Sequence, residues 1–229
     1  ARQVHKVFLK HGFIMDPIDT IAVDLDDNIE RIWERLDKKR RNGIRKARRE
    51  GVEVYAARNE KDMISFYDIS LETARRGKFQ IPPLSHYRAI WKNLVPNDIA
   101  KIFLAKHRGE IIGGSLVYCM GHQGSQNRDL IWASQPSKRE YWKYKPNDLL
   151  LWEVFKWGHE NGYQSINLWG GGRFKEKMGG HIITMYMFVK TVFVKTSMAL
   201  ATKHVFLLSY RRLVEKLVPD WQHKLFGIQ

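Results

Sequence analysis

Apolar residues recur along this chain with two different periods, and the switches between them mark the elements. Residues 4–9 and 18–25 read as short strands around Gly12 and Pro17, with Ile18, Thr20, Ile21, Val23 and Leu25 supplying β-branched and apolar content. Asp26-Asp27-Asn28 then offers a helix N-cap. Beyond it Ile29, Ile32, Trp33, Leu36, Ile44 and Ala47 follow helical spacing, which predicts one helix with a gap near Arg40, stopped at Gly51. Val52–Ala56 reads as a strand. Met63, Phe66, Tyr67, Ile69 and Leu71 predict a helix over about 60–75, and a further helix runs from Leu84 to about Leu94 after the Pro82-Pro83 break. Residues 100–106 and 111–120 form two strand-like runs joined by His107-Arg108-Gly109-Glu110, with another strand at 129–133. A polar, aromatic loop over 134–146 leads into a helix from near Asn147, which carries Leu149, Leu150, Trp152, Val154, Phe155 and Trp157 towards Gly162. Residues 165–169 read as a strand, Gly170–Gly172 as a tight turn and 173–178 as a short helical or loop segment. A long strand over 182–194 and a last helix over about 197–217 complete the pattern.

This order predicts a mixed α/β fold, a sheet flanked by helices, without internal repeats or low-complexity tracts. The length of 229 residues is ample for a buried core, and the aromatic content argues against disorder. One cysteine, Cys119, excludes an intramolecular disulfide framework and a cysteine-based zinc site, and points to a reducing, cytoplasmic compartment. Cys119 lies in an apolar strand run and reads as a buried small hydrophobe. The nine histidines show no ligand spacing, so a catalytic metal is not expected. No signal peptide is visible, and the start at Ala1 suggests a processed or truncated chain. The apolar stretch from Ile182 to Leu208 is interrupted by Lys190, Lys195 and Lys203, against a membrane span.

Charge sharpens the picture. The net charge is +15, which favours polyanionic partners. Between Arg31 and Arg49 lie ten basic residues and only Glu34 and Asp37 as acids, so more than half of the excess sits in one stretch. Lys38, Lys39, Arg45, Lys46, Arg48 and Arg49 are the candidate RNA-contacting residues of this ridge; a solvated surface helix is the plain alternative. No aromatic residue is interleaved over 34–49, so a base-stacking platform is not expected there. Gly170-Gly171-Gly172-Arg173-Phe174-Lys175 could let backbone approach an anion, although no Walker A pattern is present. Arg75 and Arg76 at a helix end could clamp a phosphate or simply satisfy helix carbonyls. Tyr141-Trp142-Lys143-Tyr144-Lys145 could line an acceptor pocket or pack under a loop.

Several of these pieces taken together resemble the FemABX family. They are Ile21–Leu25, Arg41–Ala47 with Gly51-Val52, Thr73-x-x-Arg76-x-x-Phe79, Tyr144-x-Pro146 with Leu150-x-Trp152, Gly162 before the strand to Trp169, and Phe174-Lys175-x-x-Met178-Gly179-Gly180. The resemblance spans residues 18 to about 190. It implies a GNAT-like acyltransferase fold with a central, mostly antiparallel sheet, and members that carry two such domains in tandem. On that basis residues 1–26 would be the strand-rich tail of a first domain and 27–229 a second GNAT-like domain with a C-terminal helix. The family transfers an amino acid from aminoacyl-tRNA to an amine of a cell-wall peptide precursor. The resemblance therefore implies aminoacyl-tRNA and a phosphorylated peptide precursor as partners, with possible peripheral contact with the anionic inner membrane face. It also implies Arg76, Tyr144, Phe174 and Lys175 as substrate-binding residues. One departure is the tight Gly170–Arg173 connection, where the family has a longer one. Asp148 and Glu153 are candidate general bases by proximity alone. CoA-using relatives hold pyrophosphate on a glycine-rich turn opening a helix. The corresponding stretch from Gln135 to Asn147 contains no glycine, so no CoA cofactor is expected. A CoA- or carrier-dependent N-acyltransferase and a non-catalytic RNA-binding module remain the alternatives.

Overall fold

The structure is a computed structural model and describes residues 2–25, 28–121 and 128–190. It divides into two compact units. One is Asp19–Met185; the other combines Ala1–Ile18 with Tyr186–Gln229, of which residues 2–18 and 186–190 are described.

In the smaller unit, α1 (Arg2–Lys10) replaces the strand expected over 4–9. Val4, Val7 and Phe8 fit the i, i+3, i+4 spacing of a helix as well as a strand run, and a six-residue segment cannot separate the two. The Phe8 ring stacks on Phe188, 4.7 Å between centroids, and meets Phe13 edge-on. The helix expected over 197–217 lies outside the described residues.

The larger unit is built on a sheet ordered β2-β3-β4-β5-β6-β1-β7. Its strands are β1 (Ile14–Asp24), β2 (Val52–Ala56), β3 (Ala100–His107), β4 (Glu110–Met120), β5 (Asp129–Ser134), β6 (Ser165–Asn167) and β7 (His181–Val189). β1 and β7 run across the boundary between the units. The pairs β2–β3, β3–β4, β4–β5 and β1–β6 are antiparallel, whereas β5–β6 is parallel. A parallel pair needs a crossover, and α6 (Pro146–Glu160) supplies it.

Each face of the sheet has its own core. On one face Val23, Ile112, Val117, Leu130 and Ile166 pack under α2 (Ile29–Arg35), α3 (Lys38–Arg49) and α6, contacting Ile32, Ile44 and Phe155 among others. On the other, Ile102, Leu104 and Leu116 meet Met63 and Phe66 of α4 (Glu60–Gly77), with Tyr87 and Ile90 of α5 (Leu84–Asn93). The expected single helix from Ile29 is two helices, and the break is at Leu36-Asp37 rather than near Arg40. Leu36 is extended, and the Asp37 carboxylate accepts from the Lys39 N–H, so a new N-cap restarts the chain as α3. The Asp37 pKa is lowered from the usual carboxylate value, first by that backbone N–H and then by the neighbouring Lys177.

Gly43 lets α3 approach α6 closely. A Cβ there would lie 2.3 Å from a carboxylate oxygen of Asp148. Asp148 is buried and pairs with Arg40 at 2.7 Å. The cation expected to belong to an open ridge is thus enclosed between two helices.

Candidate active site

The parallel pair β5–β6 is short. Its register runs Asp129–Ser165, Leu130–Ile166 and Ile131–Asn167, and pairing ends there. Beyond that point each strand stays with its antiparallel neighbour. The chain after β5 follows β4, through Gly114 N–H to Pro136 carbonyl, Lys138 N–H to Ile112 carbonyl and a bridge between Gly113 and Ser137. The chain after β6 follows β1, through Leu168 N–H to Ile21 carbonyl. The two strands therefore part at their carboxyl ends and open a cleft, which is where ligands bind in parallel α/β arrangements. A bulge lies at this point. Leu116 faces Ser134 while Val117 faces Trp132, so Ala133 is an extra residue of β5; it is exposed. A bulged residue drops out of the ladder and leaves its peptide group free to turn towards a ligand.

Lys175 bridges the parting strands. It stands on α7 (Arg173–Glu176), with Nζ 5.3 Å above the Trp132 ring of β5 and donating to the Trp169 carbonyl just after β6. Burial pushes its pKa below the usual lysine range, and no charged neighbour contributes. Trp169 has φ +53°, a left-handed conformation costly for a bulky residue, and the expected strand over 165–169 stops at Asn167. The Asn167 side chain holds the turn, since its Oδ1 accepts from the Trp169 N–H and from the Thr20 hydroxyl. Gly172, at φ +136°, then opens α7. The glycine turn thus aims Lys175 back into the cleft.

The neighbouring elements add positive charge. The Asp37 N–H donates to the Lys177 carbonyl, and Arg40 lies 5.2 Å over the Phe174 ring, so α3 starts beside α7. Lys39 and Lys145 act electrostatically on Asp148 along with Arg40. α6 begins after Lys145 with no side-chain cap, leaving orphan N–H groups. Lys145 has φ +58°, the conformation a glycine-rich turn would supply.

The other expected residues have different surroundings. Arg76 donates to Glu72, Thr73 and the Ser137 carbonyl, and lies 5.1 Å from the Trp142 ring centroid. It anchors the loop between β5 and α6. Tyr144 stacks on His107 at 4.3 Å, and Tyr141 and Lys138 both bond Glu110, which fastens the same loop to the β3–β4 hairpin. Phe174 packs against the core. Of the four expected substrate-binding residues, Lys175 lies at the cleft, Phe174 packs on the core under Arg40, and Arg76 and Tyr144 hold the loop beside the cleft.

The expected RNA-contacting residues also divide. Lys38 and Lys39 open α3 beside the cleft. Arg45 lies 5.3 Å over the Trp33 ring, and Arg48 pairs with Glu153 at 2.8 Å. Lys46 is half-buried and Arg49 exposed. The tertiary structure brings Trp33 against Trp152, 4.9 Å between centroids, so aromatic groups do border the ridge. Sequence order hid them, because α2 and α6 supply them. Neither candidate base is free: Asp148 is enclosed with Arg40, and Glu153 bridges Arg48 and Lys156. Among the described residues no cluster of His, Cys, Asp or Glu could hold a metal ion.

The family model for the acetyltransferase (GNAT) domain matches residues 37–178. This chain belongs to the GNAT acetyltransferase-domain family. The matched segment runs from the cap of α3 to Met178 and takes in both walls of the cleft. Three solved structures share the GNAT fold. FemX superposes with TM-score 0.64 at 13% identity, over 75% of this chain and 61% of its own. L-PGS from Bacillus licheniformis gives 0.59 at 19% identity, over 89% and 70%. The C-terminal domain of a putative lysylphosphatidylglycerol synthetase from Agrobacterium fabrum gives 0.61 at 13%, over 90% and 69%. The chain thus spans less than two thirds of FemX. No curated protein sequence matches it significantly. No helix among the described residues is long and apolar enough to cross a membrane.

Proposed function

We propose that this GNAT acyltransferase domain transfers an amino acid from aminoacyl-tRNA to an amine of a phosphorylated cell-wall peptide precursor, as FemABX enzymes do. The observation that carries the proposal is Lys175: a half-buried cation with no acidic partner among the described residues, set where β5 and β6 part. The acceptor amine attacks the ester carbonyl, a C–N bond forms, the C–O bond to the tRNA ribose breaks, and the proton lost by the amine ends on the released ribose oxygen. Negative charge gathers on the carbonyl oxygen in between. Lys175, with the peptide group at the Ala133 bulge, is the group able to stabilise that charge. Orientation of the two substrates in the cleft supplies much of the remaining acceleration.

Donor choice is supported by the loop from Gln135 to Asn147. It carries a 3₁₀ helix, Arg139–Tyr144, where a glycine-rich pyrophosphate cradle would sit. The basic start of α3 and the Arg45–Arg48 stretch offer phosphate contacts for a tRNA instead. On this reading the reaction lies at the cytoplasmic membrane face.

A second acceptor is favoured by the extent of the structural matches. The two lysylphosphatidylglycerol-type structures cover about nine tenths of this chain, against 75% for FemX. On this alternative the acceptor is the head group of an anionic phospholipid. One assay separates the readings: labelled aminoacyl-tRNA is offered with the peptide precursor, with phosphatidylglycerol vesicles, and with neither, beside a parallel acetyl-CoA reaction. Label appearing on the precursor supports the main proposal, and label on lipid the second. Acetyl transfer alone would overturn both, as would tRNA binding without any transfer.

A further inference from the structure

The opposite end of the sheet carries a cavity of its own. It opens where β4 ends and β5 and β6 begin, and its volume is about 540 Å³. Trp157 near the end of α6 and Tyr163 after it form an aromatic floor, 5.4 Å between ring centroids. The Arg128 guanidinium lies 4.3 Å over the Tyr163 ring, and its Nη1 donates to the Asn161 carbonyl. Those contacts fix its plane, and among the described residues the buried Nε–H has no partner. A second cation, Lys101, lies 6.0 Å from the Trp157 ring centroid and pairs with Asp98. Asp98 is 70% exposed, so this pair is weak and easily exchanged for another anion. Two large apolar side chains of the lining, Ile99 and Met120, are 45% and 48% exposed. Cys119 also lines the cavity; burial pushes its thiol up and pushes the Tyr163 phenol to about 12, so neither adds negative charge at neutral pH.

The chemistry of this cavity is specific. Its size suits a small organic molecule rather than a polymer. Two cations, one with an unmet donor, select a negative head group. The aromatic floor and exposed apolar rim select a non-polar body. We propose that this cavity is a second ligand site that binds a small carboxylate or phosphate monoester carried on an apolar body. The head group is held by Arg128 and Lys101, and the body covers Ile99, Met120 and Trp157. The site is separate from the cleft: the twelve residues of α6 from Pro146 to Trp157 span about 17 Å.

Cys119 is the only cysteine in the chain, so alkylation reports on this cavity alone. Octanoate and octyl phosphate are the probes, with octanol and inorganic phosphate as controls, read by calorimetry and by the rate of Cys119 alkylation. At a probe concentration ten times its Kd, occupancy slows alkylation about tenfold. The anionic probe that binds more tightly identifies the head group, and both controls bind at least about tenfold more weakly. Arg128→Gln weakens the probe by about tenfold, and Lys101→Gln, which keeps the Arg128 bond to the Asn161 carbonyl, by a smaller factor. Octanol binding as tightly as octanoate would overturn the proposal, as would unprotected alkylation at saturation. Unchanged affinity in the folded Lys101→Gln variant and in Met120→Ser would do the same, whether or not Arg128→Gln folds.

Discussion

The seam between α3 and α6 and the cleft between β5 and β6 each enclose a cation, and they treat it differently. In the seam Arg40 meets a buried carboxylate, Asp148, at 2.7 Å, and Gly43 removes the side chain that would keep the helices apart. In the cleft Lys175 has, among the described residues, a backbone carbonyl and the face of Trp132. The first charge is neutralised within the protein and serves the architecture, although its buried Nε–H has no partner among the described residues. The second is left with its field uncompensated in a partly dry site, where an incoming anion gains most. Arg76 shows the same logic a third time: a sequence-level candidate for phosphate contact is held by the loop that it anchors. Partners decide what a basic residue does.

That contrast can be broken on either side. Asp148→Leu should have the largest effect, because it strands Arg40 as a buried, unpaired charge; we expect a loss of about 3–5 kcal/mol in urea unfolding. Adding Arg40→Met should restore most of it, since a desolvated pair is a weak net stabiliser. Burial raises the Asp148 pKa despite Arg40, which agrees with that weakness.

On the cleft side Lys175→Met should leave stability intact or improved, while aminoacyl transfer falls about 10²–10³-fold, roughly 3–4 kcal/mol in the barrier. The pH dependence distinguishes this from misfolding. Between its lowered pKa and 10.5 the folded state holds fewer protons on Lys175 than the unfolded chain, so that residue makes stability rise with pH across this window. The rise should vanish in Lys175→Met. Wild-type transfer should fall through the lowered pKa as the cation is lost.

Arg76→Ala tests the anchoring role. Loss of its charge-assisted bond to the Ser137 carbonyl should cost about 1.5–3 kcal/mol and raise amide exchange in residues 135–145. A defect in acceptor binding with unchanged loop protection would instead place Arg76 with Lys175. The smallest effect belongs to the ridge. Arg45→Ala should change stability by no more than about 1 kcal/mol, yet lower the salt slope of tRNA binding by about 1. An unchanged slope would assign Arg45 to packing on Trp33 alone.

Much of the fold was legible because long periodic segments carry strong signals. The helices at 60–77, 84–93 and 146–160 lie close to where apolar spacing placed them. Short segments misled. Residues 2–10 satisfy both periods, and the Asp37 cap divided a helix that spacing alone made continuous. The ridge was legible as charge but not as geometry. Nothing in residues 34–49 reveals that Trp152 and Glu153, more than a hundred positions later, stand beside it.

The sequence by itself determined the long periodic elements, the mixed α/β class, the excess of positive charge and the Phe174-Lys175 pair after a glycine turn, because these are local properties of composition and period. Tertiary structure alone decided which cations are neutralised and which remain available. Strand parting beyond Ile131 and Asn167 follows from each strand keeping its antiparallel neighbour, and that competition exists only once the sheet is assembled. The same holds for the roles of Arg40, Arg76 and Lys175. A charge acquires a function from what surrounds it, and those surroundings come from parts of the chain that only folding brings together.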